Sequence, residues 1–193
     1  FTDGLKTIQN TRLMSRIMKS AHDLNSLILQ HAEDLELSKN GMINDGIIAT
    51  KLGLQGIPDL AELIIIERDL TLLESIKCRY HISQISSKKS VEIINERKKK
   101  VKFTCGVSIN NLSLNENDIG DFRTFLKLSP PLRTEDDRMA LVNGLNNNII
   151  DVIVSDHKPE DEESKRLTFA QAATGASGIE TLLSLSLELY HNG

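Results

Sequence analysis

The chain has 193 residues, 39% of them hydrophobic and 26% charged, a balance that excludes disorder and allows one domain with its own core. Its formal charge of −4 and pI near 5.8 lack the basic excess of a nucleic-acid binder, so a small molecule or another protein is the expected partner. No window nears the ~18 apolar residues of a membrane span and no basic-then-apolar leader opens the chain, so neither membrane insertion nor export is expected.

Phe1-Thr2-Asp3-Gly4 is strand-like and lacks an initiating Met, which reads as the interior of a longer protein. From Thr11 to His22 the apolar Leu13, Met14, Ile17, Met18 and Ala21 recur at helical spacing. Leu27–Leu29 then predict a short buried strand ending at Gln30-His31. Ile57-Pro58-Asp59 open a long helix to about Ile76, with Pro near the first turn, where its missing N–H costs nothing. Arg79–Ile85 is a second strand, Ser86–Lys100 a second helix and Val101–Val107 a third strand.

Residues Asn110–Pro131 are polar, punctuated and closed by a Pro-Pro pair, which predicts a long loop of the kind that carries function. Thr134 and Asp137 form a capping-box pattern before a helix bearing Met139, Leu141, Val142 and Leu145. Ile149–Val154 is a fourth apolar strand, followed by a loop from Ser155 to Lys165 and a last helix from about Phe169 to Tyr190. Strands apolar throughout and alternating with helices predict a parallel sheet covered on both faces.

Four such units are half of a (β/α)8 TIM-type barrel, although an open doubly wound sheet has the same periodicity. In either fold the chemistry sits at the carboxyl ends of the strands, which draws attention to His31, His81–Gln84, Asn110-Asn111 and Asp156. His31 and Asp156 are residue types that bind a transition metal and move protons. By themselves they decide little, because a lone strand-end His is more often a hydrogen-bonded structural group and an Asp before His-Lys-Pro can simply start a turn.

Five segments change that weighing: Gln30-His31-Ala32-Glu33-Asp34, Tyr80-His81-Ile82-Ser83-Gln84-Ile85-Ser86, Lys127-Leu128-Ser129-Pro130-Pro131-Leu132-Arg133, Ser155-Asp156-His157-Lys158-Pro159 and Gly175-Ala176-Ser177-Gly178-Ile179-Glu180-Thr181. Their order and spacing resemble the dihydroorotases of the amidohydrolase superfamily, over essentially the whole chain. The resemblance implies a single barrel domain over residues 1–193, this being about its second half, with the N-terminal part and its His-x-His metal pair lying upstream. It further implies pyrimidine biosynthesis in the cytoplasm, carbamoyl aspartate or dihydroorotate as substrate, and zinc as the metal that polarises the amide and activates water.

Carried over by position, His31 matches a metal histidine and Asp156 the metal-side aspartate that shuttles the proton. Asn111, Ser129, Glu160, Gly175 and Gly178 fall on substrate-binding positions. Departures are numerous. The bridging carboxylate of some members falls on Gly4, beside Asp3, and a second metal histidine falls on Gln84. His81 is not expected to replace it, since three residues along a regular strand reverse the face. Pro-His-His becomes Ile109-Asn110-Asn111, the Asn before Pro-Pro becomes Ser129, and a His becomes Glu160, which is expected to repel a carboxylate substrate.

Zinc sites take about three or four protein ligands, and this segment offers two. The expectation is therefore a catalytically impaired member, which the resemblance to degenerate dihydroorotases implies is a noncatalytic partner of aspartate carbamoyltransferase, the alternative being an active metal-dependent dihydroorotase. Half a barrel leaves sheet edges open, so completion by more chain or by oligomerisation is expected. Three further features are read plainly: Arg97–Lys100 as a solvated face, Ile64–Ile66 and the last helix as core, and Cys78 and Cys105 as buried packing residues that form neither a disulfide framework nor a zinc ribbon.

Overall fold

The computed structural model describes residues 1–4 and 6–191. Helix α1 (Thr11–Asp23) begins where the Asn10 side chain accepts from the Leu13 amide, and its apolar stripe buries Met14, Met18 and Ala21. It leads into β1 (Leu27–Gln30). Two two-residue strands, β2 (Ile43–Asn44) and β3 (Gly56–Ile57), pair in parallel around the short helix α2 (Ile47–Leu52). Elements this short carry no period that the sequence could reveal.

The long helix α3 (Leu60–Ile76), the strand β4 (Arg79–Ile85), α4 (Lys88–Arg97) and β5 (Thr104–Ser108) follow as predicted within a few residues. A one-turn helix α5 (Ile109–Ser113) and two 3-10 turns occupy the expected long loop. Helix α6 (Glu135–Asn146) starts on the capping box, with Thr134 accepting from the Asp137 amide and the Asp137 carboxylate accepting from the Thr134 amide. Strand β6 (Val152–Val154), the short α7 (Glu162–Lys165) and α8 (Leu182–His191) complete the chain.

Strands β1, β4, β5 and β6 form one parallel sheet in that order. Thr2 bridges Leu29 in parallel on the free side of β1, so the strand-like start of the chain lies along the sheet edge. Met14 and Met18 of α1, Ile66, Leu70 and Leu73 of α3, and Val91 and Ile94 of α4 meet Tyr80, Ile82, Cys105 and Val107 in a single core. The result is the parallel, helix-covered strand set of a partial barrel. No helix among the described residues is long and apolar enough to cross a membrane.

Several expectations need correction. The last helix starts at Leu182, not at Phe169, because the intervening backbone turns at Gly175 (φ +138°) and spends its carbonyls on lysines instead of on a helix ladder. Leu182, Leu185 and Leu189 pack on the core, whereas Leu183, Leu187 and Tyr190 of the same helix are exposed. Of the Ile64–Ile66 run, Ile65 and Ile66 are buried and Ile64 is exposed. The basic run is not simply solvated either: Arg97 bonds Glu67 and Glu74 on α3, and Lys98 bonds Asp151 before β6. Both cysteines are buried and free, and burial raises the Cys105 thiol to about 12.

Within this core Asp69 is fully buried, accepting a hydrogen bond from the Tyr80 hydroxyl at 2.7 Å and pairing with Arg68. Burial raises its carboxyl above the ordinary aspartate range, against the opposing pull of Arg68 and Tyr80. A carboxyl raised on folding binds its proton more tightly in the native state, so its contribution is full at low pH and is lost as pH climbs through the raised value. Stability of the wild type relative to Asp69→Asn is therefore expected to increase on acidification through the range just above the ordinary value. Denaturant midpoints of both proteins across that range check it.

Candidate functional site

His31 follows β1 directly and is 3% exposed. Its Nε2 lies 3.1 Å from Glu33 Oε2 and 3.5 Å from Ser129 Oγ. A carboxylate only accepts, so Nε2 carries the proton in this contact. Burial pushes the Glu33 carboxyl up, but the hydrogen bonds from His31 and Ser38 and the charges of His31 and Arg133 outweigh it, and the group sits below its ordinary value.

Asp156 follows β6 in a left-handed conformation, φ +48°, which Asp tolerates better than most residues. Its Oδ1 accepts from Gln84 Nε2 at 3.0 Å, across from the end of β4. Burial raises this carboxyl, and the Gln84 hydrogen bond and the charges of His31 and Lys158 offset only part of the rise. The sheet thus brings His31, Gln84, Ser129 and Asp156 to one rim.

Gln84 overturns the face argument made from strand parity. Pairing between β4 and β5 shifts register between Ile82 and Ile85, and both of those residues enter the core although they are three apart. The irregularity inserts one residue and turns Gln84 toward Asp156. His81 is on this side as well: its Nδ1 is 2.7 Å from Thr104 Oγ1, and its Nε2 lies beside Gly106, residues that alternate with core Cys105 and Val107. Asp3 remains exposed at the sheet edge.

The remaining substrate positions are more architectural than expected. Asn111 is 2% exposed and donates to the Pro131 carbonyl at 3.0 Å, which anchors the Pro-Pro loop. Glu160 is 3.4 Å from Lys158 Nζ in a partly exposed pair, so its charge is countered and the expected repulsion of carboxylates is weakened. Gly175 and Gly178 allow close backbone approach: a Cβ would fall 2.5 Å from the Lys158 carbonyl and 2.1 Å from the Ser155 carbonyl respectively. They position the strand bearing Asp156.

Sequence reasoning missed the polar scaffold beneath the rim. Glu62 on α3, 3% exposed, accepts from the backbone and hydroxyls of Ser86 and Ser87 and from the Ser90 hydroxyl. Arg133, also 3% exposed, donates to Ser86 Oγ, Asn44 Oδ1 and the Ile57 carbonyl. The Pro-Pro-Leu-Arg segment is thereby clamped to β2 and β3 directly and, through Ser86 after β4, to Glu62 of α3. Its prominence in the sequence was the signal available.

Buried polar atoms without protein partners also collect here. Gln30 Nε2, Gln84 Oε1, Asn110 Nδ2 and Asn111 Oδ1 stand at or just after the carboxyl ends of β1, β4 and β5. Such atoms call for an explanation, and a polar ligand is one. The cleft beside His31, Glu33, Pro131 and Arg133 measures about 10 Å³, room for a single water. A larger cavity of about 620 Å³, lined by Leu73, Lys77, Arg79 and Lys102, opens at the amino ends of β4 and β5, away from these groups.

His31 and Asp156 are the residues that would hold a metal here, fewer than the about three or four protein ligands a zinc site takes. Among the described residues no group of three His, Cys, Asp or Glu side chains is placed to hold an ion. With Nε2 donating to Glu33, His31 keeps its Nδ1 lone pair, and Asp156 accepts the Gln84 amide N–H at Oδ1.

Residues 1–90 match the family model described as dihydro-orotase-like. The dihydroorotase of Ehrlichia canis is 46% identical over 195 aligned residues, covering 100% of this chain and 44% of that protein. That of Desulforapulum autotrophicum is 39% identical, covering 97% and 44% respectively. Among solved structures, a D-hydantoinase from Thermus sp. superimposes with a TM-score of 0.80 at 21% identity, covering 100% of this chain and 44% of that one. A dihydroorotase from Saccharomyces cerevisiae in complex with 5-fluoroorotic acid superimposes at 0.74 with 16% identity, covering 100% and 53%. These last two show the fold alone, a TIM-type barrel of which this chain forms part. The chain spans under half the length of the curated relatives it matches, and over that span it is similar to dihydroorotases.

Proposed function

We propose that the chain forms part of a cytoplasmic, oligomeric dihydroorotase-family protein of pyrimidine biosynthesis, catalytically impaired and serving as a noncatalytic partner of aspartate carbamoyltransferase. The observation that carries the impaired reading is the Gln84 amide seated on Asp156 Oδ1, at the position where the family resemblance places a metal histidine. That contact supports reading the carboxylate as a hydrogen-bond anchor, since Oδ1 is taken by the amide. The carbamoyltransferase role rests on the resemblance to degenerate family members.

One observation favours the alternative, an active dihydroorotase interconverting carbamoyl aspartate and dihydroorotate with zinc. Gln84 turns toward Asp156, and its Oε1 is buried without a partner. Measuring the zinc content and carbamoyl-aspartate cyclisation of the intact protein separates the two. Metal-free protein without turnover that stabilises the carbamoyltransferase is expected; stoichiometric zinc with turnover would overturn the impaired reading. Gln84→His alone is expected to leave cyclisation at background, because metal ligands act as a unit. Strong recovery from that single change would show that only one ligand had been lost.

A further inference from the structure

Between α7 and α8 the backbone of Phe169–Gly175 turns almost all of its carbonyls onto ammonium groups. Lys127 Nζ donates to the carbonyls of Phe169, Ala170 and Ala172 at 2.9, 3.0 and 2.9 Å. Lys165 Nζ donates to Ala173 and Gly175 at 2.8 and 2.7 Å, and Lys158 Nζ to Thr174 at 2.6 Å. Six of seven consecutive carbonyls are thus committed to three lysines.

Lys127 is 7% exposed, and among the described residues no carboxylate pairs with it. A lysine ammonium has three N–H donors, and here all three are used on backbone oxygens. Carbonyl dipoles converging on a desolvated monovalent cation replace its hydration shell, the same arrangement by which protein carbonyls hold free ions. A compact tetrahedral ammonium suits such a cage, and a planar guanidinium does not.

The cage backs the rim. Gly175 donates its amide to the Lys127 carbonyl, Lys158 donates its amide to the Ala176 carbonyl, and Gly178 lies against Ser155, the neighbour of Asp156. We propose that the carbonyls of Phe169, Ala170 and Ala172 form a binding cage for a monovalent, hydrogen-bonding cation, filled by the tethered ammonium of Lys127, and that this occupant holds the loop supporting Asp156. The proposal stands whether or not the rim turns substrate over.

Lys127→Ala in the intact protein empties the cage, and hydrogen exchange at the Gly175–Gly178 amides reads the loop. Protection is expected to fall about tenfold or more and to return in ~0.1 M ammonium chloride but not in the same concentration of tetramethylammonium chloride, which cannot donate hydrogen bonds. Equal recovery in both salts, recovery in neither, or a variant that stays unfolded in both would overturn the proposal. Lys158→Met removes a single carbonyl bond at the partly exposed end and leaves the cage filled. Its exchange is expected to be insensitive to ammonium, and an ammonium response there would also count against the cage.

Discussion

Arg133→Met is expected to destabilise the protein by roughly 3–5 kcal/mol, the range for removing one member of a buried charged network. Arg133 holds Asn44, Ile57 and Ser86 together from the interior, and the buried Glu62 carboxylate lies within its field. Deleting the guanidinium leaves Glu62 served only by serine and backbone donors and leaves the Asn44 and Ile57 oxygens short of a partner. Against a typical total of about 5–15 kcal/mol, such a loss is severe. Denaturant midpoints check it, together with the double change Arg133→Met/Glu62→Gln. The double variant is expected to recover part of the loss, since the stranded charge is removed. An unchanged midpoint for the single variant would show that the network carries no net stability.

The second large effect is expected at Gly178. An alanine Cβ there would sit 2.1 Å from the Ser155 carbonyl, a backbone atom that cannot rotate away. Overpacking of this kind costs about 1–3 kcal/mol or more, and relief requires moving the segment that carries Asp156. Gly178→Ala should therefore lower the thermal midpoint and weaken the Gln84 to Asp156 hydrogen bond, visible as a shift of the Gln84 side-chain amide resonances. Gly46 supplies the contrast: its Cβ would meet nothing closer than 3.7 Å, and its backbone is extended. Gly46→Ala is expected to change stability by less than about 1 kcal/mol.

Much of the fold was legible because its parts are local. The stripe of Met14, Met18 and Ala21, the apolar run Arg79–Ile85 and the Thr134 and Asp137 cap each announce an element through a period or a hydrogen-bonding pattern a few residues long. The segment around β2, α2 and β3 was silent because two-residue strands have no period to read. The last helix was placed too early for a related reason. Phe169–Thr181 has helix-compatible residues, but its carbonyls find better donors in Lys158 and Lys165 nearby and in Lys127, which comes from far earlier in the chain.

The candidate site divides along the same line. Strand ends at His31 and Asp156 followed from the alternation of strands and helices, since in parallel sheets functional groups gather at carboxyl ends. Asn111 and Gly178 were recognisable as special residues, yet their work in anchoring the Pro-Pro loop and admitting the Ser155 backbone depends on atoms from other segments.

The amino-acid order alone determined the parallel α/β architecture, the strand ends that face the rim and the resemblance to dihydroorotases, because hydrophobic period, capping chemistry and motif wording are properties of neighbouring residues. Only the folded chain decided that Gln84 faces Asp156, that His31 donates a hydrogen bond to Glu33 and that three lysines serve one loop. A single extra residue in the pairing of β4 with β5 sets the direction of Gln84, and such register is fixed by the partner strand.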